Sequence, residues 1–363
     1  MNQRLHRVSR SDEAAYLRLV RGESRGVIPT AARLGLGSVA RLYRLGVAAR
    51  NLAFDRGWKA SHRAGVPVVS VGNLTLGGTG KTPMVEWVGR WYRARGVRVA
   101  ILSRGYGDSS GMNDEGRVLE ENLPDVPHLQ APDRVDLARR ASEELESQIL
   151  VLDDGFQHRR LARDLDLVLL DALDPFGLGR IFPRGLLREP VGSLRRAGVV
   201  VLSRADLVDE SARRAIRDRA ERAAGPLLWA EARHAPLDLI DEAGRSSPLS
   251  GLAGKKVGAF CGIGNPEGFR RTLLGLGVEV AGFRAFPDHH PYGGSDVAGL
   301  AGWIRSIGAE LALTTQKDSV KLRAPSLGPA PLRALRIGLE VIDGAATLDR
   351  ALAALLPPGK DAP

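Results

Sequence analysis

A single cysteine in 363 residues rules out an internal disulfide, and a reducing compartment suits such a chain. Cys261 lies in the apolar run Val257-Gly258-Ala259-Phe260-Cys261 and is expected to pack as a small core residue, not to act as a nucleophile. Aromatic residues are scarce at 5%, and no nucleic-acid recognition motif is present, so a base-stacking module is a poor fit. No stretch reaches the roughly 18 uncharged apolar residues of a membrane-spanning helix. The opening Met1-Asn2-Gln3-Arg4-Leu5-His6-Arg7 lacks the apolar core and cleavage site of a secretory signal, so the chain is expected to stay on the cytoplasmic side. Lysine is scarce too. Only seven of the 52 basic residues are Lys, so a lysine at a special position is hard to read as chance.

One lysine does sit at a special position. Residues 66–82 join an apolar strand to a glycine turn ending in Gly80-Lys81-Thr82. Glycines at 77, 78 and 80 let successive N–H groups turn toward phosphate oxygens, and the following helix adds its positive end. Lys81 would reach the β and γ phosphates of a nucleoside triphosphate, and the Thr82 hydroxyl would ligate Mg²⁺. Pro83 suits a first helical turn, and Met84, Val85, Trp87, Val88 and Trp91 recur at helical spacing. The general pattern has glycine six residues before the lysine, where this chain has Thr75.

Hydrophobic content of 44% is that of a globular chain, and the net charge of +10 points to anionic partners. Apolar runs such as Gln148–Leu152 and Val199–Leu202 read as strands buried on both faces, as in a parallel sheet covered by helices. The expected fold is a doubly wound, mostly parallel α/β sheet of P-loop NTPase type followed by a second, smaller α/β domain. Its divisions are 1–226, an extended linker over 227–252, the smaller domain over 253–345 with a returning linker strand, and a C-terminal helix and tail over 346–363. Residues 335–341 are extended and suited to pair with the linker. Residues 27–57 read as a basic amphipathic helix. Two readings stay open for it: an interfacial helix with its apolar face in lipid, or a helix packed on the core.

The strand at 148–153 ends in Asp153-Asp154-Gly155-Phe156-Gln157-His158, an acidic pair that either holds Mg²⁺ for a phosphate loop or merely caps a strand end. Later, Ser203-Arg204-Ala205-Asp206 follows an apolar strand, like the base-reading motif of GTPases with Ser for Asn and Arg for Lys. It defines a rival: a GTPase or metallochaperone of the same fold.

The runs Gly72–Pro83, Ser103-Arg104-Gly105-Tyr106-Gly107 and Asp153–His158, together with Leu187–Pro190, Phe286–His290 and Lys317–Leu322, resemble the tetraacyldisaccharide 4′-kinases of lipid A synthesis from about residue 30 to 345. The resemblance implies ATP and Mg²⁺, a lipid disaccharide 1-phosphate as acceptor, and work at the cytoplasmic face of the inner membrane as a peripheral protein. No nucleic acid or protein partner is implied. It places Thr75, Leu76, Gly77, Gly78, Thr79, Gly80, Lys81, Thr82 and Gln157 around ATP, and Thr82, Asp153, Asp154 and Glu189 around the metal. It makes Asp114 the base for the sugar hydroxyl, although Asn113 precedes it where the family usually has glycine. His289 matches the histidine that pairs with that base. From the residues alone, a solvated loop and a metal site with Asp288 and His290 remain open for it. Arg104, Tyr106 and Arg188 are the candidates for holding the substrate.

Overall fold

Val199–Ser203 is buried along its whole length and Ile149–Asp153 up to its final aspartate, because helices cover the sheet on both faces. The structure is a computed structural model that describes residues 10–105, 114–288, 290–322 and 324–359. Two helices come first, α1 (Arg10–Arg21) and the long α2 (Val27–Asp55). Alternating elements follow: β1 (Val68–Asn73), α3 (Lys81–Arg93), β2 (Val99–Ser103), α4 (Asp114–Asn122), β3 (His128–Gln130), α5 (Arg134–Glu143), β4 (Ile149–Asp153), β5 (Leu165–Asp171), β6 (Val199–Ser203) and α6 (Glu210–Ala224). The chain continues through β7 (Trp229–Ile240), β8 (Ser246–Ser247), β9 (Lys256–Cys261), α7 (Pro266–Gly275), β10 (Glu279–Ala285), α8 (Gly294–Ser306) and β11 (Leu311–Thr315). It ends with α9 (Gln316–Leu322), β12 (Ser326–Leu327), β13 (Ala330–Asp343) and α10 (Ala345–Ala353).

All strands belong to one 13-stranded sheet, ordered β10-β9-β11-β13-β7-β6-β5-β1-β4-β2-β3, with β12 on β13 and β8 on β7. Along that path every pairing is parallel except β13 with β7, which run antiparallel from Ala334↔Ile240 to Asp343↔Glu231. Two parallel runs therefore meet at one antiparallel seam. The stretch read as a linker from 227 is, from Trp229, a strand of 12 residues in mid-sheet. After the seam the chain returns to the first run, where α10 sets Leu348 and Leu352 into the core beside Tyr92. The Tyr92 hydroxyl donates to the Leu352 carbonyl at 3.0 Å and the Trp91 indole to Asp349 at 2.7 Å.

For α2 the burial pattern separates two faces. Ala40, Val47 and Asn51 face the protein, while Val27, Ile28, Leu34, Leu42 and Leu45 stand 86%, 83%, 71%, 70% and 66% exposed. Its C-terminal end is fixed: Arg159 donates to the Asn51 carbonyl at 3.0 Å and to Asp55 at 2.7 Å. Among the described residues no helix is long and apolar enough to cross a membrane. Cys261 is buried in the second core, and burial pushes its thiol up to about 12.

Candidate active site

The site begins where β1 ends, flanked by β4 and β5 at the carboxyl edge of the parallel run. Residues Leu74–Gly80 form the loop and α3 starts at Lys81. Gly80 takes the left-handed conformation at φ 86, and a Cβ there would lie 2.5 Å from the His234 ring. Only glycine suits both demands. Thr75, at the place where the general pattern has glycine, is buried in a bridge with Leu187. The Leu76 amide donates to the Leu186 carbonyl at 2.8 Å and the Arg188 amide to the Leu74 carbonyl at 2.7 Å. The first half of the loop is thus paired like a strand, which explains why no glycine is needed there. Leu76, Gly77 and Gly78 are exposed, and Thr82 is half-buried in the first turn of α3.

β4 brings the acidic pair alongside, with Asp153 opposite Val71 in register. Lys81 Nζ donates to Asn73 Oδ1 at 3.3 Å and stands 3.5 Å from Asp154 Oδ1. Arg188 Nη1 reaches both Asp154 oxygens, at 3.0 and 2.9 Å. Burial raises the Asp154 carboxyl, but Lys81 and Arg188 outweigh it and hold the group below its ordinary range. Burial pushes Asp153 up to about 6, Lys81 opposing and Asp154 and Glu115 adding to the rise. Its Oδ1 is enclosed with no hydrogen-bond partner among the described residues. Gln157 donates to the Asn73 carbonyl at 2.8 Å and accepts from Arg188 at 3.4 Å, so it belongs to the same cluster.

Glu189 departs from the metal-ligand expectation. Fully buried, it accepts from Arg50 at 3.0 Å, Asn51 at 3.0 Å and Arg196 at 2.9 Å. Both of its oxygens are committed to fastening α2 to the segment that leads into β6, because a buried carboxylate needs donors on each side.

Asp114 opens α4 and stands 3.4 Å from Lys321 of α9, whose ammonium is also 3.4 Å from the fully buried Asp318. Lys317 reaches the neighbouring Glu115 at 2.7 Å. The second parallel run therefore supplies the cations beside the expected base. His289 and Tyr106 lie outside the described residues, as does Asn113. His290 stands 3.1 Å from Asp296.

Beside Asp154 opens a cleft of about 260 Å³, lined by Tyr43 and Arg50 of α2 and by Arg104, Arg134, Asp154, Gln157, His158 and Arg188. Arg104 and Arg188 thus line the same cleft. Burial and the nearby Arg134, Arg160 and Arg163 lower His158 to about 4, so its ring is neutral. Sequence reasoning assigned no role to Asn73, Arg134, His158 or Lys321. Asn73, His158 and Lys321 lie within the runs that carry the resemblance, and that was their signal; Arg134 had none.

The family described as tetraacyldisaccharide-1-P 4′-kinase matches residues 32–356. A tetraacyldisaccharide 4′-kinase of Anaeromyxobacter sp. (strain Fw109-5) is 46% identical over 334 residues, covering 86% of this chain and 90% of the relative. Another from Syntrophus aciditrophicus (strain SB) is 41% identical over 306 residues, covering 77% and 82%. Among solved structures, the "apo" form of LpxK from Aquifex aeolicus in complex with ATP superposes with a TM-score of 0.70 at 28% identity, covering 90% of this chain and all of that one. These matches set the GTPase and metallochaperone reading aside. With the phosphate loop, the acidic pair and the arginine-lined cleft in one place, the chain belongs to the tetraacyldisaccharide 4′-kinase family.

Proposed function

We propose that the protein transfers the γ-phosphate of ATP to the 4′-hydroxyl of a tetraacylated disaccharide 1-phosphate, giving the bisphosphorylated lipid A precursor. The observation that carries this reading is the meeting of Lys81 and Arg188 on Asp154, a carboxylate that with Arg188 also lines the arginine-lined cleft bordered by α2. Loop amides and Lys81 take the phosphates, the most charged part of ATP. Thr82, Asp153 and Asp154 offer hard oxygen donors fit for Mg²⁺, and the orphaned Asp153 oxygen supports that fit. Bound there, Mg²⁺ supplies positive charge against the charge that builds on the transferred group.

Asp114 accepts the proton of the 4′-hydroxyl, which is a poor nucleophile without a base. Lys321 stands 3.4 Å from that carboxylate, and His289 is its assigned partner by resemblance. Arg50, Arg104, Arg134 and Arg188 give the cleft the charge to receive an acceptor carrying a phosphate. In this reading, the parallel runs on either side of the seam act as two lobes, divided near 226 and 253, and their closure completes the site. The exposed leucines of α2 enter the lipid interface and its arginines meet anionic head groups, at the cytoplasmic face where ATP is found.

The test is a phosphorylation assay with detergent-dispersed disaccharide 1-phosphate. ATP should be consumed in preference to GTP, and only with Mg²⁺. A preference for GTP, or hydrolysis indifferent to the lipid, would return the GTPase reading.

A further inference from the structure

Strand β6 ends at Ser203 and leads into Arg204-Ala205-Asp206, where a GTPase would read its base, yet Ser203 and Arg204 turn to the phosphate loop. The fully buried Ser203 hydroxyl lies 2.8 Å from the Thr79 carbonyl and 3.2 Å from the Leu170 carbonyl, and so donates to the loop. Arg204, left-handed at φ 54, sends Nη2 to the Gly78 carbonyl at 3.1 Å while Nη1 pairs with Asp171 at the end of β5. On the third side stands His234 of β7, its ring against Gly80 and its Nε2 without a hydrogen-bond partner among the described residues.

A trans peptide is planar, with its C=O and N–H pointing in opposite directions. Fixing the Gly78 carbonyl on Arg204 therefore turns the Thr79 N–H to the other side of the loop. Fixing the Thr79 carbonyl on Ser203 does the same for the Gly80 N–H. Those are the amides a phosphate would need, in a loop whose three glycines would otherwise leave it many conformations.

We propose that Ser203 and Arg204 are positioning residues that hold the phosphate loop in its anion-binding form before the nucleotide arrives, with His234 as the wall behind Gly80. The ring of His234 is neutral, lowered to about 4 by burial and by Arg204, so it does not compete with Lys81 for phosphate. The proposal rests on residues 75–82 being the nucleotide site.

A loop ordered in advance spares ATP binding the cost of ordering it, and the same saving is present in the transition state. In the full-length protein, Arg204→Ala and Ser203→Ala should each raise KM for ATP about tenfold with kcat within about twofold. Arg204→Lys, which keeps a cationic donor, should recover most of the loss. Amide exchange at 77–80 in the nucleotide-free variants should quicken while β1 and β4 keep their protection. Should Arg204→Ala fail to fold with Asp171 left unpaired, Arg204→Ala/Asp171→Asn carries the same measurements. Unchanged KM and unchanged exchange at 77–80, in an enzyme that Lys81→Ala inactivates, would overturn the proposal, as would a loss confined to kcat. An active Lys81→Ala enzyme would instead remove the nucleotide site on which it rests.

Discussion

The Lys81 ammonium rests 3.5 Å from the Asp154 carboxylate, and Arg188 holds the same carboxylate from another side. Asp154 is itself left-handed at φ 51, a conformation that costs a non-glycine residue about 1 kcal/mol or more and that recurs at functional sites. The lysine is thus held between the end of β1 and the acidic pair.

Lys81→Ala should cut kcat by about a hundredfold or more, because one charged donor to a developing phosphoryl charge is worth several kcal/mol. Asp154 keeps Arg188, so the melting temperature should hold. Steady-state kinetics beside thermal melts checks this, and near-normal turnover by a folded variant would remove the loop from the chemistry.

Asp114→Ala should lower kcat by about 10²-fold or more while ATP binding stays close to normal, as for loss of a general base. Lys321→Ala removes an ammonium that stands 3.4 Å from both Asp114 and Asp318, so kcat should fall with it while ATP binding holds. If kcat survives Asp114→Ala, another group takes the proton.

Asp153 links stability to pH. Its folded value of about 6 lies above the ordinary 3.8, so between those values the native state holds a proton that the unfolded chain has lost. The stability this gives is complete below 3.8 and disappears as pH rises through about 6. In metal-free protein, Asp153→Asn should therefore raise the melting temperature at pH 8 and give no gain near pH 4. Melts in EDTA at both values decide it. Equal gain at both would mean that the carboxylate is not strained.

Glu189→Gln should destabilise the fold by about 3 kcal/mol, since it leaves the Arg50 and Arg196 charges without their buried partner. The loss should be the same with and without Mg²⁺. A loss seen only with Mg²⁺ would restore Glu189 to the metal.

Leu42→Glu with Leu45→Glu should release the protein from anionic vesicles, because both side chains stand on the outer face of α2. Vesicle co-sedimentation at low and high salt measures this, and high salt alone should weaken binding by screening the arginines. Unfolding of the double variant would place these leucines in the core.

What the sequence alone determined lies within short reach along the chain. A glycine turn before Lys81, an acidic pair after an apolar strand and the apolar runs of β4 and β6 are written in neighbouring residues, because loop geometry and strand burial depend on local spacing. The stretch at 227–239 reads as an extended linker that 335–341 could pair with, but not as the antiparallel seam of a single sheet, since pairing direction and place in the sheet are set by the whole topology. Short elements such as β3 and α9 escaped because three or seven residues carry too little periodicity. Only the tertiary structure decided that Glu189 binds Arg50, 139 positions away in the chain. It alone turned Ser203 and Arg204 toward carbonyls more than a hundred residues distant. A buried carboxylate or hydroxyl bonds to whichever donor or acceptor packing brings within about 3 Å, and that choice has no local signature.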